Sequence, residues 1–269
     1  MHRFSLRIVF LSMAFLLSGG VLQYAPTGDI VWAVSEERLV SALSGLQSPE
    51  RTKFFSVLEK GLHSYEALQN YSATFRKKEK NSEGVLGETE EIYLRFEKPW
   101  KIFMGWLNTS KQGLQVVYER GRNDGKLAVH HPSPLLFLTP VIYLEQSSPW
   151  VREGSASYNI EDAGIGTFLH DFTRAVVKAS YENTLKVHFN QDTADVIFSD
   201  KPNPGYFAHR VRAGFDQKTG LPLTMELFDD SNQPTGIYEY KNLQLNVGVD
   251  EEFKKQIHSG LLKVYSHET

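Results

Sequence analysis

"FEKPWKIFMGWL", residues 96–107, places Trp100, Ile102, Met104 and Trp106 on one side of an extended chain and Lys101, Phe103, Gly105 and Leu107 on the other. Side chains alternate faces along a strand, and a strand with one wet face alternates apolar with polar. Here both faces are apolar, so each needs a cover. Burying a large apolar side chain is worth about 1.5 to 3 kcal/mol, and four left wet would forfeit on the order of a domain's whole net stability. Amphipathic helices laid on the sheet are expected to cover one face. Two readings exist for the rest: the proline-rich stretch 132–149 folds over the other side, or the concave side forms a cavity for an apolar ligand.

The flanks extend the strand into a sheet. "YSATFRKKEK", residues 71–80, alternates Tyr71, Ala73 and Phe75 with Ser72, Thr74 and Arg76, and "EIYLRFE", residues 91–97, turns Ile92, Leu94 and Phe96 inward. Beyond the opening stretch, Asn123-Asp124-Gly125 marks a tight hairpin between two apolar runs. "HPSPLLFLTPVIYLEQSSPW", residues 131–150, holds four prolines and is expected to be a packed loop or lid, since proline is excluded from central strands. "GTFLHDFTRAVVKASYEN", residues 166–183, carries Phe168, Leu169, Phe172, Ala175, Val176 and Ala179 on one helical stripe. Strand patterns then return in "LKVHF", "ADVIFS", "YFAHRVRAGFD", "LPLTMELFD" and "GIYEYKNLQLNV", and Asp250-Glu251-Glu252-Phe253 starts a short final helix with acids in its first turn.

Ahead of the strands, Leu39, Leu43 and Leu46 form one helical stripe, and Ser48-Pro49 opens a second helix whose stripe runs through Phe54, Phe55, Leu58, Leu62, Tyr65 and Leu68. The expected fold class is therefore α+β: nine or ten mostly antiparallel strands in one large curved sheet, its concave face covered by helices. No long Gly/Ser linker divides it, so residues 34–269 read as a single domain.

Residues 1–33 read as a cleavable signal peptide: Arg3 and Arg7, an apolar run, and Val31-Trp32-Ala33 before the cut. The run contains Ser18, Gly19 and Gly20 and falls short of the ~20 apolar residues a membrane span needs. Leu17-Ser18-Gly19-Gly20 lacks the cysteine of a lipoprotein signal, and the chain has no cysteine at all, so no disulfide assists an exported core. The expected location is a bacterial periplasm. Losing Arg3, Arg7 and Asp29 moves the formal charge from −3 to −4, which does not suit a nucleic-acid partner.

Catalytic and metal signatures are weak. His130 and His131 are strand neighbours and point to opposite faces, His170 and Asp171 diverge around a helix, and His209 reads as a core histidine with a hydrogen-bond partner. No His-Glu-x-x-His or Gly-x-Ser-x-Gly occurs. Glu90, Glu91, Glu119 and Asp124 are the candidates for a paired-carboxylate hydrolase, against the plainer reading of charged strand ends and turns. Arg76-Lys77-Lys78-Glu79-Lys80 offers a contact with an anionic membrane surface; the plainer reading is a solvated strand end whose lysines protect an edge. No catalytic residue, cofactor or metal is assigned.

Two resemblances add to this. "GLPLTMELFDDSNQPTGIYEYKNLQLNVGVDEEFKK" looks like the C-terminal strand pair of the LolA-like proteins, periplasmic carriers of lipoproteins and lipids. "FRKKEKNSEGVLGETEEIYLRFEKPWKIFMGWL" through "GLQVVYERGRNDGKLAVH" resembles the bacterial domain of unknown function 1571 over roughly residues 54–180. The shared elements are Lys-Lys-Glu, Gly-x-Leu, Lys-Pro-aromatic, Gly-x-x-x-x-Tyr and Gly-x-Asn-Asp-Gly-Lys-Leu, in that order. The resemblance implies an open half-barrel with helices plugging an apolar cavity and implies no catalytic residue. Where that family tends to show Arg-His-Pro-Ile, this chain has Ser157-Tyr158-Asn159-Ile160.

The functional expectation is a non-catalytic carrier for a lipid or the acyl chain of a lipidated protein. Trp100, Ile102, Met104 and Trp106 would line the site and Leu135, Leu136 and Phe137 would form its lid. An envelope sensor or protein-interaction module without bound lipid is the alternative.

Overall fold

The computed structural model describes residues 48–81, 83–132, 141–148, 160–201, 205–248 and 251–266. The signal peptide, the helix expected at Leu39 to Leu46, and Leu135, Leu136 and Phe137 lie outside the described residues.

The core of the fold is one open antiparallel sheet of eleven strands: β1 (Asn70–Glu79), β2 (Glu90–Glu97), β3 (Lys101–Trp106), β4 (Gln115–Glu119), β5 (Leu127–His130), β6 (Ile142–Leu144), β7 (Lys186–Asn190), β8 (Thr193–Ile197), β9 (Arg210–Phe215), β10 (Pro222–Phe228) and β11 (Pro234–Leu245). The spatial order β6-β5-β4-β3-β2-β1-β11-β10-β9-β8-β7 is that of two meanders joined where β11 pairs with β1. One strand beyond the expected nine or ten is β6, three residues at an edge of the sheet that end the proline-rich stretch, a place where proline nearby does no harm.

Strand β1 is central, paired on both sides with β2 and β11. That corrects the reading of Arg76 to Lys80 as an edge-protecting strand end. Its cations are also engaged: Arg76 meets Glu91 and Glu239, each at 3.0 Å, and Lys80 meets Asp229 at 2.8 Å. The expected tight hairpin at Asn123 to Gly125 is a short 3-10 turn, with Asn123, Asp124 and Gly125 all left-handed at φ 51, 55 and 76°. Asn, Asp and Gly are the residues that tolerate this region.

Among the described residues, two helices cover the inner face. α1 (Pro49–Ala67) starts with proline at its first position and buries Phe54, Phe55, Leu58 and Tyr65; α2 (Ile165–Tyr181) buries Leu169, Phe172, Val176 and Ala179. Phe54 meets Phe172 edge to face at 6.0 Å, which locks the helices together over the sheet. Lys98, in the β2–β3 turn, donates to the carbonyls of Tyr65 and Glu66 at 2.6 and 2.8 Å and so satisfies the C-terminal end of α1. α1 passes so close to the β9–β10 turn at Gly61 that a Cβ there would collide with the Gly220 carbonyl.

The opening question is answered on the outer face. α3 (Glu251–Gln256) and α4 (Ser259–Ser266) bring Phe253, Ile257, Leu261 and Tyr265 against Phe103, Val117 and Ala128. Phe103, on the side of β3 opposite Met104, is only 2% exposed, its ring 5.2 Å from Phe253 at 89°. The C-terminal helix pair therefore covers this face, and Val141 from the proline-rich stretch packs against the same cluster. Arg95 fastens it: it donates to Tyr265 Oη at 2.9 Å and to the carbonyls of Val247 and Gly248, and Tyr265 donates to Glu97 at 2.6 Å. Elsewhere the outer face is wet and carries ion pairs such as Arg210 with Asp195 and Arg212 with Glu226.

Candidate functional site

Among the described residues, the helices fill one end of the inner face. Strand β3 runs from the packed end to the open one, so its inward residues and Trp100 just before it part company. Trp100 stands edge to face on Phe96 at 5.4 Å, with the Arg120 guanidinium 4.7 Å over its ring, and Ile102 is fully buried. Both belong to the core under the helices. Met104 and Trp106, further along, face a cavity of about 910 Å³.

The cavity wall is mostly apolar: Phe75, Ile92, Met104, Val116, Val129 and Met225 from the sheet and Phe168 from α2 are among its parts. Its floor is an aromatic row, Phe75 stacking with Tyr240 at 4.9 Å and Tyr238 at 6.2 Å. Two tyrosine hydroxyls hold α2 over it. Tyr240 donates to the Ala163 carbonyl at 2.7 Å, and the Ile165 amide donates to Tyr71 at 3.0 Å. Burial, then the neighbouring Tyr65, push the Tyr240 phenol well above its ordinary range, so it stays a neutral donor.

At one end the wall turns polar. Glu90 accepts from Trp106 Nε1 at 2.9 Å and from Lys111 Nζ at 2.6 Å, and Lys77 Nζ sits 3.2 Å from Glu79 and 3.8 Å from Glu90. The side chains of Lys77, Glu79 and Glu90 are 15, 8 and 13% exposed. Burial raises the Glu90 carboxyl, and the Lys77 charge together with the Lys111 and Trp106 hydrogen bonds outweighs it, leaving Glu90 ionised below its usual range. Sequence reading missed this group because a charge run looks solvated. The signal was there in the parity: Lys77 and Glu79 continue the inward alternation of Tyr71, Ala73 and Phe75.

The four carboxylates considered for hydrolysis are not assembled. Glu90 faces the cavity, Glu91 pairs with Arg76, Glu119 lies beside Lys101 and Arg122, and Asp124 is at an exposed turn. His131 lines the cavity while His130 stacks on His258 of the outer helices, as strand alternation requires. His209 meets Asp230 at 3.2 Å. His170 is buried against Tyr65, and Asp171 faces the cavity and pairs with Arg174. Among the described residues no group of three or more His, Asp or Glu side chains is placed to hold a metal ion, and no helix is long and apolar enough to cross a membrane.

The family described as "Protein of unknown function (DUF1571)" matches residues 68–257, reaching well past the segment of visible motifs into the C-terminal strands and α3. No curated protein matches the chain. Solved structures with a similar fold include a putative outer membrane lipoprotein-sorting protein domain from Vibrio parahaemolyticus, 12% identical, covering 72% of this chain and 94% of that one with a TM-score of 0.31. A LolA superfamily protein from Nitrosomonas europaea is 10% identical, covering 74% and 96%, TM-score 0.31. MucB in the MucA/MucB complex of Pseudomonas aeruginosa is 13% identical over 76% of this chain and 60% of that one, TM-score 0.37. These are likenesses of architecture alone.

Proposed function

The chain belongs to the DUF1571 family, whose function is unknown, and we propose that this member is a non-catalytic binding protein that shelters the apolar part of a lipid or of an acylated protein. The observation that carries the proposal is the cavity itself: about 910 Å³, within the roughly 300–1,000 Å³ of ligand sites, mostly apolar with a few convergent polar groups. Met104 and Trp106 contribute adaptable apolar area to its wall, as methionine and aromatic side chains do at such sites. Binding would bury the acyl chain and make or break no bond. An export signal read in residues 1–33 supports a periplasmic place of work.

The test is lipid analysis of the protein purified from its own envelope, by native mass spectrometry and solvent extraction, together with titration of a neutral fluorescent lipid probe. A stoichiometric copurifying lipid or saturable uptake of the probe is expected. Finding neither a copurifying lipid nor uptake of the probe removes the proposal.

A further inference from the structure

The polar end of the cavity is a row of alternating charge: Glu79, Lys77, Glu90 and Lys111 follow one another at 3.2, 3.8 and 2.6 Å. Buried ion pairs return little net stability, because desolvation offsets their attraction. An apolar end would hold the fold as well, and the row instead decides what chemistry is admitted beside the apolar wall.

We infer that the cavity takes an amphiphile with a zwitterionic head, bearing one positive and one negative charge; this rests on the cavity being a ligand site. A chain ending in a carboxylate or a phosphate monoester would bring negative charge against Glu79 and Glu90, whose lysines are already engaged. A purely cationic head would meet Lys77 and Lys111. A head of both signs sets each charge opposite one already present, and like-charge contacts in a partly desolvated site are strongly unfavourable.

The experiment displaces a neutral fluorescent probe from the purified protein with four single-chain amphiphiles of equal tail, each below its micelle-forming concentration. They are dodecylphosphocholine, dodecyltrimethylammonium, dodecyl phosphate and dodecyl maltoside. Dodecylphosphocholine is expected to displace the probe at about tenfold lower concentration, or better, than dodecyl phosphate, and Glu79→Gln with Glu90→Gln is expected to erase that gap. Equal or tighter binding of either dodecyl phosphate or dodecyltrimethylammonium by the unaltered protein overturns the inference and leaves the cavity as a ligand site. Displacement by none of the four overturns the cavity reading itself. The unaltered protein decides between these outcomes even if the double variant does not fold.

Discussion

His258 stacks on His130 with ring centroids 3.9 Å apart and planes 9° from parallel, joining the turn between α3 and α4 to strand β5. Gln115 of β4 reinforces the joint, donating to the Gln256 carbonyl at 2.9 Å and accepting from the His258 amide at 2.8 Å. His258 Nδ1 accepts from the Gly260 amide at 3.2 Å, a bond that only an unprotonated nitrogen can make.

Acid is therefore expected to loosen the outer cover. Burial, then the His130 charge, hold His258 below its ordinary range. A base whose folded value lies below its unfolded value contributes stability that is complete above the unfolded value, near 6.5, and is lost as pH falls from there. Urea unfolding at pH 7.5 and 5.0 should show a smaller acid loss for His258→Asn than for the unaltered protein. An identical loss in both would count against the stacked pair as an acid-sensitive joint.

His170 is expected to add a second acid-sensitive contribution on the opposite face. Burial, then the charges of Arg174 and Lys98, lower it to about 4. The same sign applies: stability is complete above about 6.5 and is lost on the way down to about 4, a span corresponding to about 3 kcal/mol. His170→Gln should flatten the pH dependence of unfolding in that window. Amide protection factors in α1 and α2, near Tyr65, corrected for the intrinsic pH dependence of exchange, should fall on acidification in the unaltered protein and not in the variant.

Phe253→Ala removes the ring that closes over Phe103 and stacks near Tyr93 and Tyr265. The expected cost is about 3 to 5 kcal/mol, the range for truncating a buried phenylalanine. Because the outer cover is remote from the cavity, probe uptake by the folded variant should be unchanged. Binding of a hydrophobic dye to the newly exposed outer face should increase.

Val129→Phe enlarges a residue on the cavity wall beside Val116, Leu127 and Ile142. Filled space excludes a chain, so affinity for a neutral fluorescent lipid probe should fall by about tenfold, the equivalent of 1.4 kcal/mol. The unfolding midpoint should move little, since the added ring enters open space and does not overpack the core. Unchanged uptake would place the ligand elsewhere.

Much of the architecture was legible from local pattern. Period-two stretches located β1, β2 and β3, the 3.6-residue stripes located α1 and α2, and the turns placed the return strands. The demand for a cover on each side of residues 100–107 was legible too, because Phe103 and Met104 are both large and apolar. α4 went unread, since "SGLLKVYS" is only eight residues long and an apolar run that short has little periodicity to detect. The split of Trp100 and Ile102 from Met104 and Trp106 was also invisible. It depends on where α1 and α2 end over the strand, which no spacing within β3 records.

What the sequence determined by itself was the alternation: which residues share a face, and that both faces of the central strands must be kept from water. The tertiary structure decided what does the keeping. Phe103 is covered by Phe253 and Arg95 is engaged by Tyr265, partners whose separation along the chain leaves no local trace, since contact at that range is selected only when the whole sheet has formed. The same holds for the charged row, where Lys77 and Glu79 from β1 meet Glu90 from β2 and Lys111 from a later turn. Solvated strand ends and an ordered polar pocket have the same local spelling, and only the folded sheet brings the charges within 4 Å of one another.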